Sequence, residues 1–69
     1  MVDNAYKIQQ LQYEINAIHN EYMHNCDLYI EGYAGGSKFN RYQNRLQREI
    51  EKRKIRISKL EHKMLKIRQ

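Results

Sequence analysis

Gly32-Tyr33-Ala34-Gly35-Gly36-Ser37 decides the fold. It holds all three glycines of a 69-residue chain that has no proline. Glycine clusters are strong local breakers, so a single break near mid-chain leaves two long segments without internal punctuation.

Upstream, Ile8, Leu11, Ile15, Ile18, Tyr22 and Tyr29 recur at steps of three, four, three, four and seven. That is the spacing of an amphipathic helix with a coiled-coil seam. Asn25, with Cys26 beside it, fills the skipped position and weakens the seam there. Downstream, Phe39, Tyr42, Leu46, Ile50, Arg53, Ile57, Leu60, Met64 and Ile67 continue at steps of three and four. The two four-residue steps at Tyr42-Leu46-Ile50 resemble a stutter, and Arg53 is a polar intrusion. Ser37, with Asn40 as rival, is the candidate cap of the second helix.

The expected fold is all-α: one domain over 1–69, with helix 4–31, turn 32–37 and helix 38–68. A short link folds such helices back antiparallel as a coiled-coil hairpin. The aromatic side chains Tyr29, Tyr33, Phe39 and Tyr42 should gather at the turn and close it, or offer a contact patch. A minor alternative takes the loose alternation of Leu28 to Tyr42 as a β-hairpin. The resulting α-β-β-α plan resembles small phage head–tail joining proteins in architecture.

A chain this short is marginal without a staple. Its one cysteine, Cys26, forms no internal disulfide, and no zinc-ligand spacing occurs. Dimerisation into a four-helix bundle is the expected remedy, with Ile8, Leu11, Ile15, Ile18, Leu46, Ile50, Ile57, Leu60, Met64 and Ile67 as the oligomer seam. No apolar run is long enough to span a bilayer, and the first five residues lack a signal-peptide layout. With its unpaired cysteine the chain is expected in the cytoplasm, its own or that of an infected host.

Enzymatic signatures are missing: there is no phosphate loop, nucleophile elbow or HExxH. His24-Asn25-Cys26 reads as helix surface beside a small seam residue, not as a metal or thiol site. No catalytic residue, metal or cofactor is expected.

Charge is distributed unevenly. Residues 1–34 carry Lys7 against Asp3, Glu14, Glu21, Asp27 and Glu31, while residues 35–69 carry twelve basic and three acidic side chains within a net charge of +5. Arg41, Arg45, Arg48, Lys52, Arg56, Lys59, Lys63 and Lys66 follow at helical steps, as a stripe roughly 38 Å long at the α-helical rise. Folding at Gly35-Gly36 would set Glu31, Asp27, Glu21 and Glu14 near Arg41, Arg45, Lys52 and Arg56, as flanking pairs beside the seam. The open end keeps an excess, and Lys52, Arg56, Lys59, Lys63, Lys66 and Arg68 are the candidate contacts to an acidic surface or nucleic acid.

The functional expectation is a non-enzymatic protein-interaction module. It would be a self-assembling adaptor, or an inhibitor or regulator of a larger host protein or assembly, of the kind that phages and mobile elements encode. Its partner would offer an acidic surface or an apolar groove. The alternative is a nucleic-acid-binding regulator that lays the basic helix on a phosphate backbone. In architecture alone, with no motif shared, that alternative resembles the Rop family of plasmid copy-number regulators, dimeric hairpins that bind paired RNA loops. A basic amphipathic helix lying on a membrane is a third reading.

Overall fold

The computed structural model describes residues 3–68, with side chains to Lys66. It is an all-α hairpin of two helices, α1 (Asn4–Ile30) and α2 (Ser37–Arg68), packed antiparallel in an envelope of 53 × 17 × 16 Å. Leu28 to Ile30 and Ser37 to Tyr42 are helical and no strand occurs among the described residues, so the α-β-β-α alternative does not form. The seam periodicity simply continues through both segments on which the alternation had been read.

Each boundary has a local cause. Asp3 caps α1, its Oδ1 accepting from the Ala5 N–H at 3.3 Å. At the other end Gly32, at φ 85°, lets the chain reverse. Its N–H donates to Tyr29 O at 3.1 Å, and the Tyr33 N–H donates to Leu28 O at 2.8 Å. This pair of bonds is a Schellman closure, which needs the left-handed conformation that glycine adopts without a Cβ clash. Gly36, at φ 94°, then opens α2, its carbonyl accepting the helix's first bond from the Asn40 N–H at 3.0 Å. The turn is thus residues 31–36, with Ser37 inside the helix.

Because Gly32 and Gly36 bracket the turn, the hairpin folds about Ala34. Tyr29 stacks on Phe39 with ring centroids 5.8 Å apart, Asn25 meets Gln43 and Glu14 meets Arg53. This register lies about one helical turn from a fold at Gly35-Gly36.

Leu11, Leu46, Ile50 and Leu60 are the buried apolar core, and Ile8, Ile15, Ile18, Ile57 and Met64 are half-buried. All of these line the seam between α1 and α2; Ile67 falls outside the described side chains. The seam of α2 passes through Gln43, which is 8 % exposed, and not through Tyr42, which is exposed. With Gln43 in place the steps from Phe39 to Met64 alternate four and three without interruption. The stutter therefore disappears.

Gln43 is tolerated because its amide is satisfied. Its Oε1 accepts from Asn25 Nδ2 at 2.8 Å, and its Nε2 donates to Tyr22 O at 3.2 Å and to Cys26 Sγ at 3.6 Å. A buried amide with partners in one register only selects that register, since any slip would strand it in apolar surroundings.

Candidate functional site

The seam of α2, from Phe39 through Gln43 and Leu46 to Met64, fixes where the basic residues point. Arg41, Arg45, Arg48, Lys52, Arg56, Lys59, Lys63 and Lys66 are all exposed. At 3.6 residues per turn they occupy an arc about 80° wide, centred some 140° from the seam. The stripe is therefore mainly the outward face of the hairpin; at its edge Arg56 lines a hollow with Lys7, Leu11 and Glu14 of α1, without forming an ion pair.

The pairing expected across the seam is absent accordingly. The one ion pair between the helices among the described residues joins Glu14 to Arg53, whose Nε lies 3.6 Å from Oε1. Glu21 accepts a hydrogen bond from the Tyr42 hydroxyl, and neither Asp27 nor Glu31 forms an ion pair. Of the stripe, Lys52 alone forms an ion pair among the described residues, with Glu49 of its own helix at 3.7 Å, and the lysine side chain is 74 % exposed. Arg41, Arg45, Arg48 and Lys52 line an open hollow of about 430 Å³ together with Glu49. Lys52, Arg56, Lys59, Lys63 and Lys66 of the sequence-derived contact set share this face, whereas Arg68 falls outside the described side chains.

Arg53 is held inside the hairpin and is unavailable to a partner. Its Nη1 donates to Glu49 Oε2 at 2.8 Å and to Glu49 O at 3.0 Å, while its buried Nε has no hydrogen-bond partner. The Arg53 hydrogen bond, with the positive charge of Lys52, holds the Glu49 carboxyl below the usual carboxylate range. A folded-state pKa below the unfolded value adds stability at neutral pH, which is lost as the pH falls through the lowered value. Glu49→Gln should therefore lower the melting temperature at pH 7, and lower it by less at about pH 3, where more of wild-type Glu49 is protonated. An equal difference at both pH values would contradict this role.

The turn end forms a second surface. The four aromatics do not gather as one plug. Tyr29 and Phe39 stack nearly parallel, and the Tyr29 ring lies over Gly35, where an added Cβ would make ordinary contact at 3.7 Å. Tyr42 is drawn along α2 to Glu21; that hydrogen bond, with partial burial and the carboxylate's charge, raises the tyrosine's pKa. Tyr33 is 80 % exposed, beside Ile30 at 79 %. An open groove of about 500 Å³ runs between Tyr22, Cys26, Tyr29, Ile30, Phe39 and Asn40. His24-Asn25-Cys26 is split by the helix: His24 is exposed, Asn25 faces Gln43 and Cys26 Sγ accepts from the same glutamine. No cluster of three potential metal ligands occurs among the described residues, and no described helix is long and apolar enough to cross a membrane.

Sequence reasoning missed Gln43, and separately set the stripe too close to the seam. A signal was present: Asn25 on the seam of α1 calls for a polar partner on α2, and Gln43 is the amide that fits the heptad between Phe39 and Leu46. Comparison of the chain with protein-family models, curated proteins and solved structures gives no match.

Proposed function

We propose that the chain is a non-enzymatic binding module that docks the outward face of α2 on the phosphate backbone of a nucleic acid. The observation that carries this reading is the eight-residue basic stripe, most of it turned away from the seam and, among the described residues, without an ion pair to α1. Flanking charges in a coiled coil serve to pair helices; these do not. A line of cations in which Lys52 alone is ion-paired, and that within its own helix, instead raises the local concentration of a polyanion and gains affinity from the counterions it displaces. Reversing charge along the stripe tests the proposal, since it should abolish nucleic-acid binding and leave the helical content intact.

The turn end supports a second reading, an adaptor or regulator that docks on another protein. Tyr29, Ile30 and Tyr33 are exposed together where the net charge is close to zero, and exposed aromatics at the mouth of a groove are typical binding anchors. The half-buried Ile8, Ile15, Ile18 and Ile57 leave apolar area for self-association, and a dimeric four-helix bundle is the proposed assembled form.

A further inference from the structure

We propose that the nucleic acid bound by α2 is a duplex, engaged through its backbone over about one turn and without regard to base sequence. This rests on the phosphate-backbone reading above and narrows its partner.

Stacking contributes nothing on this face. Single-strand binders combine basic residues with aromatic platforms on which successive bases lie. The aromatic residues of α2 are Phe39 and Tyr42. One is stacked on Tyr29 and the other is hydrogen-bonded to Glu21. Base reading is thinly provided for. Arginine can contact guanine, and Arg41, Arg45, Arg48 and Arg56 are on this face, but the amides that commonly recognise adenine lie outside the basic arc: Gln43 is in the seam, Gln47 is bonded to the Tyr22 hydroxyl at 2.9 Å, and the exposed Asn40 and Asn44 fall to one side of the stripe.

What remains is electrostatics, which favours the partner of highest charge density. A duplex presents one phosphate per 1.7 Å of axis, about twice the density of either strand in the same geometry, and releases more counterions per contact. Length agrees as well. The stripe's roughly 38 Å, at the α-helical rise, matches the 34–36 Å of one duplex turn. A rod lying along a duplex for one turn is crossed once by each strand, with two or three phosphates in side-chain reach at each crossing. About five contacts at a time follow, and hence a log–log salt slope of about −4 to −5. Eight evenly spaced cations serve any rotational setting of those crossings, as an interface indifferent to sequence requires.

The test is fluorescence anisotropy of the full chain with labelled duplexes of about 12 base pairs. Two unrelated DNA sequences, the matching RNA duplex and the separate strands are compared at several salt concentrations. We expect the two DNA duplexes to bind within about threefold of each other and the single strands at least tenfold more weakly, with the salt slope given above. Either kind of duplex that meets these criteria supports the inference and names its source. Single strands that bind as tightly as duplexes, or a preference above tenfold for one sequence, would overturn it and leave the backbone reading standing. Binding by no nucleic acid at about 50 mM salt would overturn both.

Discussion

Lys52 and Lys59→Glu together are expected to weaken nucleic-acid binding by about two orders of magnitude at 0.1 M salt. Each lost phosphate contact forfeits a factor of about eight at that concentration, and each new carboxylate adds repulsion. The informative control is Lys54→Glu with Gln9→Glu and Asn16→Asp. Gln9 and Asn16 line a hollow formed by α1 alone, and Lys54 lies on the opposite flank of α2 from the stripe; all three are exposed. Either set of changes takes the net charge from +5 to +1, so a non-specific attraction would treat the two variants alike. With the Debye length near 10 Å at 0.1 M, the control should lose less than about fivefold. Comparable losses in both variants, measured by anisotropy after circular dichroism has verified folding, would remove the stripe from the account.

Leu46→Ala is expected to cost about 2–5 kcal/mol. Leu46 is one of four buried apolar residues, and no described side chain is fully enclosed. A chain of this length has about 3–10 kcal/mol of stability in all, so this one truncation removes much of it. Leu65→Ala is the contrast. Leu65 is 60 % exposed, and its loss should stay within about 0.5 kcal/mol. Urea denaturation followed at the helical dichroism band checks both. Similar midpoints for the two variants would mean that the seam described here is not what holds the hairpin together.

The two helices, their antiparallel pairing and the position of the break were legible in the sequence because each rests on a local signal. Ile8 to Tyr22 and Leu46 to Met64 announce a helical period, and three glycines in five residues announce a turn. Register and the polar seam position at Gln43 were not legible, and both failures have a physical source. Folding about Gly35-Gly36 treats the glycines as interchangeable, but Gly32 and Gly36 are the two in the left-handed region, so the reversal centres on Ala34. Choosing Tyr42 for the seam follows hydrophobicity. The chain follows periodicity and buries Gln43, because Asn25, Tyr22 and Cys26 offer it bonds from the other helix. A burial rule applied to one helix cannot see a partner amide on the next. The direction of the stripe does not depend on that exchange: Leu46 to Met64 are on the seam either way, and the eight cations are centred some 140° from them.

The measurement that bears most directly on that outside face is a titration of the isotope-labelled protein with a nucleic-acid duplex, followed residue by residue in amide and arginine side-chain NMR spectra. The account predicts shifts concentrated on α2 between Arg41 and Lys66, at stripe positions, with little change at Tyr29, Ile30 and Tyr33. Shifts confined to the turn end, or none at saturating duplex, would contradict it.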